Sequence, residues 1–168
     1  MNAAVDGKEL VRTYLEDVFS KGNVDAVDRY LDGDDFKRGV IDLVGVWRTA
    51  FSDFRIVVDR ALADEDRVVT VEILSGTHDG VYASTLGPID PTGRRVEWSR
   101  IAIRTIRDGR FVAGFFEEDE VGLLLQMGVL EKRDDRAAAH RSTAQTASTD
   151  QFRVRDALKP PDRGADTD

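Results

Sequence analysis

The chain contains no cysteine and only two histidines, His78 and His140. Disulfides, thiolate nucleophiles and cysteine-ligated metals are excluded together. No histidine-rich metal site can be assembled, so neither a metal nor another cofactor is expected. Chemistry has to come from carboxylates, tyrosine, arginine or His78. Long apolar runs are missing as well. Nothing approaches the roughly 20 apolar residues that cross a bilayer, and Met1 to Arg12 lacks the apolar segment of a signal peptide. A cytoplasmic location and no membrane partner are therefore expected. Positive charge is scarce too: 24 Lys and Arg stand against 32 Asp and Glu, a net charge of −8. Residues 131–168 carry 8 of each sign, so the whole excess falls in residues 1–130. Phosphate backbones need a basic surface, which removes nucleic acid as a main partner.

What is present suits one folded domain, with 41% hydrophobic and 33% charged residues over 168 positions. Leu10, Val11, Tyr14, Leu15, Val18 and Phe19 recur at helical spacing, predicting a helix over 8–20 that ends at Gly22. Asn23 is placed to cap a second, short helix bearing Val24, Val27, Tyr30 and Leu31. Val40, Val44, Trp47 and Phe51 predict a third helix over about 39–51. The period then changes. Residues 54–58 and 67–74 are rich in β-branched side chains, with Asp64-Glu65-Asp66 as a polar turn. Residues 78–93 read as loop, punctuated by Gly80, Gly87, Pro88, Pro91 and Gly93. Strands over about 94–106 and 110–117 meet at Asp108-Gly109, a hairpin signal, before a last helix from Glu120 to Met127. Helices first and a strand meander afterwards predict an α+β fold with a ligand cavity between the layers. After Leu130 the composition turns to Ala, Ser, Thr, Asp and Arg, which predicts a disordered or loosely docked tail over 131–168 behind a domain of about 5–130.

Several fragments occur in a set order: Lys21-Gly22-Asn23-Val24-Asp25-Ala26-Val27, Ala50-Phe51-Ser52-Asp53-Phe54, Gly76-Thr77-His78-Asp79-Gly80, Pro91-Thr92-Gly93-Arg94-Arg95-Val96 and Asp108-Gly109-Arg110. They end in Asp119-Glu120-Val121-Gly122-Leu123-Leu124-Leu125-Gln126-Met127-Gly128. This series resembles the SnoaL-like polyketide cyclases of the NTF2-like superfamily. The resemblance implies a cone of three N-terminal helices on a strongly curved, mainly antiparallel sheet with a central pocket. It implies ring closure in secondary metabolism, antibiotic biosynthesis included, without a cofactor. It also implies a homodimer paired through the outer sheet face. There are departures. Asp35-Phe36 runs through Lys37-Arg38 straight into the third helix, shortening a loop that commonly carries a histidine. Thr105 stands where aromatic cyclases carry the histidine that assists their aspartate.

By the same resemblance Asp119 takes the place of the acid/base aspartate at the end of the last strand. An apolar cavity raises a carboxyl pKa and lets it exchange protons near neutral pH. Asp119 equally suits the N-cap of the final helix. Glu97, Glu117 and Glu118 are candidate second carboxylates. Counted from the Asp108-Gly109 turn, Arg100 pairs with Glu117 and Trp98 with Asp119, which makes Arg100–Glu117 a cross-strand ion pair. His78 is placed either to donate into the pocket mouth or to hold a loop. Tyr14, Phe19, Trp47, Phe51, Tyr82, Trp98, Thr105, Phe115 and Glu117 are candidates to line a hydrophobic small-molecule site. Arg104 is out of character among Ile101, Ile103 and Ile106; it either pairs with an acid at a dimer face or binds a substrate carboxylate. The expected function is a cofactor-free cyclase that folds a polyketide or related metabolite and shuttles a proton. An epoxide-hydrolase-like or isomerase enzyme, or a non-catalytic small-molecule binder, are the alternatives.

Overall fold

Apolar residues three and four apart give the N-terminal segment one sticky face, and it coils accordingly. The structure, a computed structural model, describes residues 6–131. Helix α1 is Gly7–Tyr14, with the Asp6 carboxylate accepting from the Lys8 N–H at 3.0 Å as an N-cap. It continues as a wider π-helical stretch, Leu15–Ser20. Val11, Tyr14, Leu15, Val18 and Phe19 share the buried face, the stripe that docks an amphipathic helix. A 3-10 turn, Val24–Ala26, leads into the single-turn helix α2, Val27–Tyr30. The expected Asn23 cap is not made; the Asn23 amide donates to Asp17 Oδ1 at 3.3 Å instead.

Helix α3 spans Asp34–Ala50 and starts earlier than the position near 39 read from the sequence. The Asp35–Arg38 segment, expected as a short loop, is its first turn. Asp34 and Asp35 favour the positive helix N-terminus. Gly39 and Gly45 each cost about 1 kcal/mol against alanine in a helix, and burial of Val40, Val44, Trp47 and Ala50 offsets that.

Strand β1 is Arg55–Asp64 and β2 is Arg67–Thr77, both longer than expected. The stretch expected as loop contains a small hairpin, β3 (Tyr82–Ser84) with β4 (Gly87–Ile89). Its turn is tied by the Ser84 hydroxyl, which donates to the Gly87 carbonyl at 2.7 Å and accepts from the Leu86 N–H at 3.1 Å. Then come β5 (Arg95–Arg107) and β6 (Arg110–Glu118), and the main sheet is ordered β1-β2-β5-β6, antiparallel throughout. Helix α4, Glu120–Met127, ends on Gly128 at φ 75°. The π-helical stretch and α1 pack on β1, α1 also on β2, and α4 on β5. This is the expected α+β cone. The tail expected over 131–168 lies, apart from Glu131, outside the described residues.

Alternation decides what faces the cone. In β2 the inward side chains are Val68, Thr70, Glu72 and Leu74; in β5 they are Val96, Trp98, Arg100, Ala102 and Arg104. The β5–β6 turn has two residues, Asp108 and Gly109, at φ 50° and 75°, the backbone of a tight hairpin. One expectation fails here. A bulge between Thr105 and Ile106 shifts the register, so Arg100 faces Glu118 and Ile101 faces Glu117. The Arg100–Glu117 pair is not formed, and the Asp119 N–H instead donates to the Ser99 carbonyl at 3.0 Å. A bulge adds one residue to one strand and changes which cross-strand neighbours share a face. Glu118, opposite inward Arg100, joins the inner face, and Glu117 the outer one.

Candidate functional site

The floor of the cone carries a buried charge cluster. Glu72 and Arg100 are direct cross-strand partners, and Arg104 reaches them from four residues further along the same face of β5. Arg100 Nε donates to Glu72 Oε2 at 2.8 Å, and its Nη2 lies 2.6 Å from the same oxygen. Arg104 Nη1 donates to Glu72 Oε1 at 2.5 Å and to Thr70 Oγ1 at 3.0 Å, and the Thr70 hydroxyl donates to Glu72 Oε1 at 2.6 Å. Aromatic rings lie against both cations: the Phe116 and Phe19 centroids are 4.8 and 5.6 Å from the Arg100 guanidinium, and that of Tyr14 is 5.8 Å from the Arg104 guanidinium. Burial pushes the Glu72 carboxyl up, but the two guanidiniums and the hydrogen bonds outweigh it and hold it below the usual range. Tyr14 is pushed up to about 12, by burial first and against the pull of Arg104 and Arg100, and stays a neutral phenol. Next to this cluster, between α3 and the edge strand β6, lies a cavity of about 70 Å³. Phe19, Phe36, Val40, Leu43 and Phe116 give it apolar walls, with Arg100 and Arg104 on the sheet side. At Gly114 on β6 an added Cβ would meet the Phe36 ring at 3.4 Å, an ordinary van der Waals contact.

Further along the same wall stands Glu118. The Trp98 indole N–H donates to its Oε2 at 3.4 Å. Burial raises its pKa, while Trp98 and Arg100 pull the other way and Glu120 and Glu117 add to the rise. Behind it the cone is filled by stacked aromatics: Trp47 lies 5.2 to 6.1 Å from Phe51, Phe54, Tyr82 and Trp98, centroid to centroid. Glu120, the first residue of α4, accepts from the Thr85 hydroxyl at 2.7 Å and the Tyr82 hydroxyl at 3.4 Å, pinning the β3–β4 hairpin over this stack. Among the described residues no group of three or more His, Asp or Glu side chains is gathered as a metal would require. No helix among them is long and apolar enough to cross a membrane.

A helical roof on an antiparallel, four-stranded curved sheet has close counterparts among solved structures. TsrD from Streptomyces laurentii superposes with a TM-score of 0.63 at 23% identity, covering 77% of this chain and 100% of its own. A SnoaL-like polyketide cyclase from Agrobacterium tumefaciens gives 0.60 at 18% identity, covering 72% of this chain and 97% of its own. IdmH from Streptomyces antibioticus gives 0.62 at 22% identity, covering 73% of this chain and 99% of its own. At these identities the likeness establishes the NTF2-like fold. No curated protein matches the sequence significantly. The model of the SnoaL-like polyketide cyclase family matches residues 9–127. The chain belongs to that family.

In this SnoaL-like chain the residues singled out from sequence fall into three places. Tyr14 and Phe19 line the cavity, with Phe115, mostly exposed, at its rim. Trp47, Phe51, Tyr82 and Trp98 form the aromatic stack, with His78 against Phe51 and Tyr82. His78 Nδ1 lies 3.0 Å from the Thr92 hydroxyl and accepts from the Thr92 N–H at 3.3 Å, while its buried Nε2 meets no hydrogen-bond partner among the described residues. Burial lowers the His78 pKa, against a rise from Asp79. The third group faces away from the cone. Glu97 is exposed and its peptide is clasped by Gln126; Glu117 is exposed; Thr105 is half-buried on the face of β5 opposite Arg104. Asp119 is exposed, and its Oδ1 accepts from the Gly122 N–H at 2.8 Å as the N-cap of α4. Sequence reasoning passed over Glu72 and undervalued Arg100 and Glu118. The signal was available: in two consecutive strands a charged residue occupies the parity of buried Val68, Leu74, Trp98 and Ala102.

Proposed function

We propose that this SnoaL-like chain is a cytoplasmic, cofactor-free cyclase or isomerase acting on a polyketide or related metabolite of secondary metabolism, and that Glu118 is its proton carrier. The observation that carries the reading is the position of Glu118: a half-buried carboxyl with a raised pKa, hydrogen-bonded by Trp98 on the inner wall of the cone. Such a group takes a proton from one substrate atom and returns it to another, so the step balances without a further reactant. Positioned proton transfer contributes typically about 10²–10⁴ in rate. Holding a flexible chain against apolar walls supplies the rest by proximity. The cavity of about 70 Å³ is below the usual range for ligand pockets, roughly 300–1,000 Å³. It receives one end of the substrate, and the remainder runs out past Phe116. Asp119, the family's acid/base position by resemblance, holds α4 in place in this proposal.

The experiment is metabolite profiling of the source organism with the gene deleted, then restored as wild type, Glu118→Gln or Asp119→Asn. Accumulation of an uncyclised precursor that wild type and Asp119→Asn relieve, and Glu118→Gln does not, supports the assignment. Relief by Glu118→Gln but not by Asp119→Asn returns the role to Asp119. Relief by both variants favours the second reading, a non-catalytic binder, for which the aromatic filling behind Glu118 speaks. A homodimer is part of the proposal. On the outer sheet face Leu62, Val69, Ile103 and Phe115 are consecutive register partners across all four strands. Three of them are largely exposed, at 73%, 41% and 59% for Leu62, Ile103 and Phe115. A contiguous apolar stripe of this kind fits a partner surface, here a second copy of the chain.

A further inference from the structure

Two guanidiniums and one carboxylate leave the cone floor with an excess positive charge beside an apolar cavity. We infer that this cavity binds a monocarboxylate carried on an apolar body, with Arg100 and Arg104 holding the anion. The inference deepens the cyclase reading by naming an end group of the substrate, and it rests on that reading for its biological use. The donor inventory argues for it. Each guanidinium has five N–H donors. Glu72 Oε2 is taken by Arg100, and Glu72 Oε1 by Arg104 and Thr70. The Thr70 oxygen already accepts from Arg104. Arg100 Nη2 is buried and faces Glu72 Oε2 at 2.6 Å, and one carboxylate cannot serve every N–H of two guanidiniums. Buried donors on a cation are costly unless an acceptor meets them.

Both arginines border the cavity on its sheet side. The next carboxylate along the wall, Glu118, accepts from the Trp98 indole, and no salt bridge joins it to either arginine among the described residues. Charge and shape select the ligand. An excess of one positive charge matches a monoanion better than a dianionic phosphate. Walls of Phe19, Phe36, Val40, Leu43 and Phe116 offer the rest of the ligand apolar contact and few polar partners. Tyr14, a neutral phenol on the same cavity, adds a donor for the carboxylate or a neighbouring oxygen.

The test is a titration of the full chain with benzoate, benzamide and inorganic phosphate, followed through the arginine side-chain Nε–H signals by ¹H–¹⁵N NMR. Benzoate is expected to shift the Arg100 and Arg104 signals saturably, with benzamide and phosphate at least ~10-fold weaker. Arg104→Gln, which leaves the Glu72–Arg100 pair intact, and Ala102→Leu, which fills the cavity floor without touching charge, are each expected to weaken benzoate at least ~10-fold. Absence of saturable benzoate binding, phosphate binding of equal strength, or unchanged benzoate binding in both variants overturns the inference. If benzoate fails while Glu118→Gln still cannot relieve the deletion strain, the carboxylate site falls and the cyclase reading stands. Benzoate binding together with full relief by Glu118→Gln gives the reverse.

Discussion

Glu72 is worth most to this fold when it is ionised, because two buried guanidiniums depend on it. Its folded pKa lies below the unfolded value, so its contribution is fully present above the ordinary glutamate pKa of about 4.3 and is lost as pH falls through the folded value. Breaking a buried ion cluster by removing one partner typically costs about 3–5 kcal/mol. Glu72→Gln should therefore unfold at lower urea by about that much at neutral pH, and the gap from wild type should narrow as the solution is acidified toward and below the folded pKa. A constant gap would show that the arginines do not rely on the charge. Glu118 has the opposite sign. Its raised folded pKa means that its carboxyl resonance should titrate above about 4.3. Trp98→Phe, which removes the indole donor, should move the midpoint higher still. An ordinary midpoint in wild type would remove the basis for its role as proton carrier.

At the level of elements, β6 ends at Glu118 while β5 begins at Arg95, so among the described residues the start of β5 has no strand partner on that side. The Gln126 side chain substitutes for one. Its Oε1 accepts from the Glu97 N–H at 3.0 Å and its Nε2 donates to the Glu97 carbonyl at 2.7 Å, mimicking a ladder rung. Arg94 Nη1 adds a bond to the Gln126 carbonyl at 3.1 Å. Helix α4 is thereby clamped to β5, and its N-terminal end, which follows Glu118, is held by the Asp119 cap. Gln126→Ala should cost about 1 kcal/mol, the scale of an exposed hydrogen-bonded pair, with faster amide exchange at Glu97. Asp119→Ala should cost about 1 kcal/mol as a lost N-cap, read as a shift in urea midpoint. A fall in turnover much larger than that stability loss explains would return Asp119 to the chemistry.

Over the whole molecule, the sheet divides two functions between its faces. Inward residues build the charged floor and apolar cavity; outward ones expose the Leu62–Val69–Ile103–Phe115 stripe. Because side chains alternate, one strand serves both tasks without compromise, as in β5, where Arg104 points in and Ile103 out. Ile103→Lys, in the middle of the stripe and away from the cavity, should turn a dimer into a monomer by light scattering while leaving the fold intact by circular dichroism. A wild-type monomer at micromolar concentration would sink the dimer proposal outright.

Sequence periodicity alone determined that three helices precede a strand meander, since each apolar stripe repeats at the spacing of its own element. It also marked Tyr14, Phe19 and Trp47 as interior, because large aromatics on a helix's apolar stripe have few other places to go. Element ends were less legible. Helix α3 begins at Asp34 because burial of Val40, Val44 and Trp47 carries glycines that local propensity disfavours. The short β3–β4 hairpin exists because Ser84 ties its turn and Glu120 pins it from far along the chain. The site was decided by tertiary structure. A single bulge after the β5–β6 turn moved Glu118 opposite Arg100, and counting from the turn could not register it. Likewise, Glu72 and Arg104 lie 32 residues apart in sequence. Their ion pair is a product of β2–β5 register, a long-range alignment that no local pattern encodes.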